Sequence, residues 1–195
     1  MSTPRLLALC GSTRKASLNR KLLLVMAEGA RTLGAEVELI ELGDYSLPVY
    51  DEELEQQQGL PANVTRLHSL FAEHDGLLLT CPEYNGFFTP LLKNTFDWIS
   101  RPLADGSGRF GGVHLHGKPA GVGTASPGGL GGIRALQHTR HYLANLGFIV
   151  VPEQMSLGNA TRAFDAAGQL TDENQRRSAH SVGTAVARLA QALRQ

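Results

Sequence analysis

The feature that most constrains this chain is a set of short apolar runs with no polar interruption. Leu6-Leu7-Ala8-Leu9-Cys10, Leu77-Leu78-Leu79 and Phe148-Ile149-Val150-Val151 are continuous rather than alternating. A strand with one wet face alternates apolar and polar residues, so a continuous run belongs to a strand covered on both sides, as in a parallel sheet. Amphipathic stretches lie between the runs. Leu22, Met26, Ala30 and Leu33 recur at helical spacing, and Gly34 stands where a left-handed residue closes a helix. Thr89 and Pro90 fit the cap and first position of another helix. Thr171 can cap a last helix with Asp172 and Glu173 in its first turn. The pattern predicts strands at 5–10, 36–42, 76–81, 118–124 and 147–151. Helices are expected at 19–33, 63–73, 90–100, 130–145 and from 172, with an irregular stretch over 43–62. Five strands with right-handed helical crossovers make a three-layer α/β sandwich around a doubly wound sheet.

With 195 residues, 42% of them hydrophobic, the chain can bury a sizeable core and is expected to form one domain over 1–195. Its 18 Lys and Arg balance 18 Asp and Glu, so no net field favours nucleic acid or an anionic membrane. No apolar segment approaches the roughly 18 residues of a membrane span, and the first apolar run is too short for a secretory core. Two cysteines, Cys10 and Cys81, exclude a disulfide-stapled scaffold. They end adjacent strands of the expected sheet and should be reduced buried thiols, with a redox pair as the alternative. A soluble, cytoplasmic protein is expected. His114 with His116 and His138 with His141 lack a carboxylate or cysteine to complete a ligand set, so no metal site is expected.

In a doubly wound sheet, ligands bind beyond the carboxyl ends of the strands, near the switch in strand order. Three loops there are unusual. Gly11-Ser12-Thr13-Arg14-Lys15-Ala16-Ser17-Leu18-Asn19 concentrates hydroxyls, an amide and two cations just before a helix. A phosphate suits that composition: the helix N-terminus carries partial positive charge, and Arg14 adds a charge-assisted fork. The same residues also read as an ordinary polar loop with Ser17 as the helix cap. Cys81-Pro82-Glu83-Tyr84-Asn85-Gly86-Phe87-Phe88 sets an aromatic and a glycine at a strand tip, where exposed N–H groups can meet the edge of a planar ring or simply form a turn. Gly121 to Gly132 opens a further helix with Ser126 among its glycines, and it misses the last glycine of a dinucleotide fingerprint. That argues against direct Rossmann-type dinucleotide binding.

Together the segments Gly-Ser-x-Arg-x-x-Ser-x-Asn at 11–19, Pro-Glu-Tyr-Asn-Gly at 82–86, Leu-Lys-Asn-x-x-Asp-Trp-x-Ser-Arg-Pro at 92–102 and Ser-x-Gly-Gly-x-Gly-Gly at 126–132 resemble the NAD(P)H-dependent FMN reductases. The likeness runs from the first strand through Leu47-Pro48-Val49-Tyr50-Asp51 to the helix after Gly132. It implies a flavodoxin-like fold with strand order 2-1-3-4-5. Ser12, Arg14, Ser17, the Leu18 backbone and Asn19 would hold the FMN phosphate. Pro82, Glu83, Tyr84, Asn85 and Gly86 would line the flavin, and Ser126 would approach the ribityl chain or ring. The implied activity moves hydride from NADPH or NADH through FMN to a small acceptor such as a quinone, azo compound, chromate or flavin. A non-enzymatic electron carrier or FMN-binding regulatory module of the same fold is the alternative. Arg14 and Lys15 favour NADPH as donor.

The resemblance also implies a homodimer or homotetramer, in which Trp98 and Arg101 are candidates for the subunit contact. Lys93, Asp97 and Ser100 share a helix stripe that reads as a solvated face or part of that contact. Of 22 glycines, 11 fall between Gly106 and Gly132. Those from Gly121 onward are expected to let the loop approach a flat ligand. The stretch from Leu103 to Gly117, with Asp105 and Arg109, is expected to be a mobile loop that shapes acceptor preference.

Overall fold

The computed structural model describes residues 3–194. Strands β1 (Arg5–Cys10), β2 (Glu36–Glu41), β3 (Gly76–Thr80), β4 (Pro119–Ala125) and β5 (Ile149–Leu157) form one parallel sheet in the order β2-β1-β3-β4-β5. The helices are α1 (Leu18–Arg31), α2 (Glu52–Gln58), α3 (Ala62–Glu73), α4 (Pro90–Ile99), α5 (Ile133–Asn145) and α6 (Glu173–Leu193). The fold is flavodoxin-like, as expected.

Alternate residues of the central strands divide between two cores, which is why their runs are continuous. Leu6, Ala8 and Leu78 pack with Leu22 and Met26 of α1 and Val182 and Val186 of α6. Leu7, Leu9, Leu77 and Leu79 face the other way, onto Leu67 of α3, Phe96 of α4 and Leu136 of α5. Each fully buried leucine contributes about 1.5–3 kcal/mol of transfer free energy. The same division applies to the thiols: Cys10 packs in the first core and Cys81 in the second, and both are free and buried.

Gly121 and Gly123 of β4 serve this packing rather than a ligand. A Cβ on Gly121 would stand 2.7 Å from Val182 Cγ1, and one on Gly123 would stand 2.7 Å from the Met26 sulfur. Bare backbone in β4 is what lets α1 and α6 lie close to the sheet, so the expected role of these two glycines is corrected.

Other differences have local causes. Helix α2 falls within the stretch expected to be irregular; Asp51 caps it by accepting from the Glu53 and Leu54 N–H groups, yet it buries no residue and so carries no apolar stripe. Strand β5 continues to Leu157 past an irregularity opposite Ala120 and Val122, and its Pro152 is tolerated on an edge strand. Asp172, not Thr171, caps α6, accepting from the Gln175 N–H at 2.9 Å.

Two further expectations are overturned. Trp98 is fully buried and donates its indole N–H to the Pro48 carbonyl at 2.8 Å, with Tyr50 edge-on at 5.1 Å. Arg101 bonds Glu55 at 2.7 Å, so both residues clamp the segment before α3 onto α4, and Trp98 has no surface left for a subunit contact. Leu103 to Gly117 joins the end of α4 to the start of β4, which places it at the N-terminal end of the sheet, away from the strand tips where ligands bind. Lys93 and Asp97 pair with one another at 2.6 Å on the exposed side of α4.

Candidate functional site

The loops after β1, β3 and β4 converge at the carboxyl ends of the strands around a cavity of about 190 Å³. It is lined by Ser12, Arg14, Ser17, Leu18, Asn19, Pro82, Glu83, Tyr84 and Ser126, with Ala125 and Pro127 completing the wall. Asn85 and Gly86 stand outside that lining.

The loop after β1 is fixed at its base. The Gly11 N–H donates to the Thr80 carbonyl at 2.8 Å, and the Thr89 hydroxyl donates to the Gly11 carbonyl at 2.8 Å. Beyond that anchor the chain turns through Ser12, whose hydroxyl accepts from the Arg14 N–H, and reaches α1 at Ser17. Ser17 is the helix cap, accepting from the Arg20 N–H at 3.3 Å. Cap and ligand donor are compatible roles, since its hydroxyl proton is not used in that bond. Among the described residues, the N–H groups of Thr13, Lys15, Ala16, Leu18 and Asn19 have no acceptor. Arg14 is exposed and has no carboxylate partner among them. The positive end of α1 and a free guanidinium thus face one cup of unpaired donors.

Asn19 plays a different part from the one expected. Its side-chain amide donates to the Ala125 carbonyl at 2.8 Å and accepts from the Ala125 N–H at 2.9 Å. This buried pair of bonds ties α1 to the tip of β4, and the Thr80 hydroxyl adds a bond to the Asn19 carbonyl. What Asn19 leaves open toward the cup is its backbone N–H.

The loop after β3 is a tight hairpin. Tyr84 and Phe87 exchange both backbone hydrogen bonds, at 2.9 and 3.1 Å, while Asn85 and Gly86 take φ of 52° and 86°. Two successive positive φ values are those of a type I′ turn, for which Asn-Gly is the favoured pair. The Tyr84 N–H is therefore used, and the N–H groups left unpaired at the tip are those of Asn85 and Gly86. Tyr84 is 54% exposed beside them. At the base of the hairpin, burial raises the Cys81 thiol to about 11, so it stays neutral.

Glu83 anchors the third loop. Its carboxylate accepts from the Arg134 guanidinium at 2.8 Å and from the N–H groups of Arg134 and Ala135 at 3.1 and 3.2 Å, capping α5 from outside because Gly132 has no side chain to do so. Burial acts to raise its pKa, but Arg134 and these N–H groups outweigh it and hold the carboxyl below the ordinary range. Ser126 bonds the Leu157 carbonyl through its N–H and folds back to accept from the Gly128 N–H at 3.1 Å. The roles of Asn19 and Glu83 were not visible in sequence, since each depends on a partner more than 50 residues away. For Glu83, the missing side chain at Gly132 was the available signal.

Residues 4–162 match the family model described as NADPH-dependent FMN reductase. The chain belongs to that family. An NAD(P)H-dependent FMN reductase of Pseudomonas aeruginosa is 34% identical over 174 residues, covering 88% of this chain and 87% of that one. A quinone reductase of Escherichia coli is 32% identical over 171 residues, covering 87% and 86%. Among solved structures, the flavoenzyme NAD(P)H:(acceptor) oxidoreductase FerB of Paracoccus denitrificans superposes with a TM-score of 0.77 at 28% identity, over 97% of this chain and 98% of that one. An archaeal flavodoxin shares the fold at a TM-score of 0.59 and 8% identity. This FMN reductase family member is an FMN-dependent oxidoreductase that takes its electrons from NAD(P)H.

Proposed function

We propose that the protein reduces small quinone-type acceptors with electrons from NADPH, holding FMN across the three loops. The observation that carries this reading is the cup of unpaired N–H groups around Thr13 to Asn19, with Arg14 free beside it. A phosphate monoester brings the acceptors this cup lacks, so the residues fit the FMN phosphate. Ser12 and Ser17 add hydroxyl donors and Leu18 its backbone N–H. When bound, FMN supplies the hydride chemistry. The protein orients it: Asn85 and Gly86 offer N–H groups to the polar edge of the ring, Pro82, Glu83 and Tyr84 shape the ring pocket, and Ser126 closes the opposite wall. Donors held rigid by the Tyr84 to Phe87 hairpin favour added negative charge on the ring without reorganisation.

The acceptor class follows the relatives named quinone reductase. Azo compounds, chromate and free flavin belong to the same chemistry and are further acceptors in this reading. The protein acts as a homodimer or homotetramer, a reading supported by the exposed apolar side chains of Tyr84 and Phe87 and by the groove that Leu47, Val49, Pro90 and Leu91 line. It acts in the cytoplasm, consistent with two unpaired buried thiols; no described helix is long and apolar enough to cross a membrane, and no described cluster of three ligands could hold a metal. The test is anaerobic: the purified protein is yellow and its flavin absorbance bleaches on adding NADPH, then returns on adding a quinone. A yellow protein that does not bleach is a carrier or sensor, and one that cannot bind FMN overturns the reading.

A further inference from the structure

We propose that a second cleft, on the far side of Arg14 from the FMN cavity, seats the 2′-phosphoadenosine end of NADPH, with Lys15 as the residue that separates NADPH from NADH. This rests on the FMN-site reading above and adds where the donor's other end lies.

The cleft has a volume of about 400 Å³ and runs between the loop after β1 and the turn after β2. Arg14 lines both cavities, so the two are neighbours sharing one wall. Its charges are arranged unevenly. Arg14, Lys15 and Arg20 meet two carboxylates, Glu41 and Asp44. Arg20 bonds Glu41 at 2.6 Å, which neutralises the acid at the tip of β2. An acid in that place would hold a ribose 2′-hydroxyl and repel a 2′-phosphate; clamped to Arg20, it does neither freely. With Arg14 committed to the FMN phosphate, Lys15 is the one cation of the cleft left without a carboxylate partner among the described residues. Its backbone N–H belongs to the FMN phosphate cup, so the side-chain amine alone is what this cleft uses. Asp44, on the other wall, offers an acceptor for a ribose hydroxyl or the adenine amino group.

The reach is right. Strand order places β2, β1, β3 and β4 side by side, and neighbouring strands lie about 4.8 Å apart. The β2 tip is therefore two strand spacings, about 10 Å, from the tip of β3, whose hairpin lines the FMN cavity, a span that a dinucleotide covers.

The test uses the FMN-loaded protein in calorimetric titrations with adenosine 2′,5′-bisphosphate, 5′-AMP and inorganic phosphate, and in steady-state assays with NADPH and NADH. The bisphosphate should bind at least tenfold more tightly than 5′-AMP, and inorganic phosphate should not reproduce that affinity. Lys15→Gln should remove most of the difference and lower kcat/KM for NADPH about tenfold, while kcat/KM for NADH and the FMN Kd stay within twofold. Lys21→Gln, which removes the same charge from α1 outside the cleft, should leave the donor ratio unchanged. Equal affinities for the two nucleotides, a preference that survives Lys15→Gln, equal binding of inorganic phosphate, or an equal loss with Lys21→Gln would each overturn the proposal. Failure of the FMN reading is a separate result, because the wild-type protein would then not load FMN.

Discussion

The two ends of the parallel sheet are made from similar residues and differ in what they leave unpaired. At the carboxyl end, the N–H groups of Thr13, Lys15, Ala16, Leu18, Asn19, Asn85 and Gly86 lack acceptors and Arg14 lacks an anion among the described residues. The connection at the amino end is equally rich in glycine, serine and charge and, among the described residues, also leaves the N–H groups of Ala104, Asp105, Gly106 and Gly108 without acceptors, but Asp105 and Arg109 pair with one another and no α-helix starts there. Leu103 donates to the Arg109 carbonyl, Gly111 to the Arg101 carbonyl, and Gly117 to the Gly147 carbonyl. Bonds from Ser107 and then Arg109 hold the Asp105 carboxyl at about 2. The Lys118 amine is spent on the Phe71 carbonyl. Composition marks both ends as polar loops; a helix N-terminus with a cation left unpaired among the described residues beside it tells the binding end from the other.

The comparison breaks hardest at Asn19. Asn19→Ala removes both bonds to Ala125 and leaves a buried N–H and carbonyl unmatched, for a loss of about 2–4 kcal/mol in urea unfolding. A loss below about 0.5 kcal/mol would show that α1 and β4 are not tied there. Next in size is Arg14→Ala, expected to raise the FMN Kd about 10- to 100-fold through loss of a charge-assisted contact. Unfolding of the FMN-free protein should move by less than about 0.5 kcal/mol, since the Arg14 side chain holds no carboxylate among the described residues; the reverse pattern would make it structural.

A pH titration probes the Glu83 anchor. Its carboxyl is depressed in the folded state, so the stability it adds is complete above the ordinary carboxylate value and fades as pH falls through the lower folded value. Unfolding midpoints of wild type and Glu83→Gln should therefore differ at neutral pH and converge in acid. The smallest effect belongs to the amino end. Asp105→Asn removes an exposed charge from its contacts with Ser107 and Arg109 while keeping an oxygen for the Ser107 N–H, so stability should change by less than about 0.5 kcal/mol and the FMN Kd within twofold. A tenfold weaker Kd would erase the distinction between the two ends.

Much of the fold was legible in the sequence, because continuous apolar runs and helical stripes report local periods. The cap at Thr89 and the turn at Gly34 read correctly for the same reason. What escaped was set by distant partners or by the lack of burial. Helix α2 buries nothing and so shows no stripe. Trp98 looked like a surface contact until the fold brought Pro48 onto its indole N–H. The glycines of β4 looked like clearance for a ligand, and their need comes instead from Val182 and Met26 behind the sheet. In the candidate site, the residue types were readable loop by loop. Which N–H groups remain unpaired was not, because that depends on the Tyr84 to Phe87 hairpin and the Ser17 cap.

Backbone amide chemical shifts, followed by NMR as FMN is added to the FMN-free protein, test the central claim most directly. The largest changes should fall on Thr13, Lys15, Ala16, Leu18, Asn19, Asn85 and Gly86, with residues 103–117 nearly still. Largest changes within 103–117, or none in the loop after β1, would contradict it.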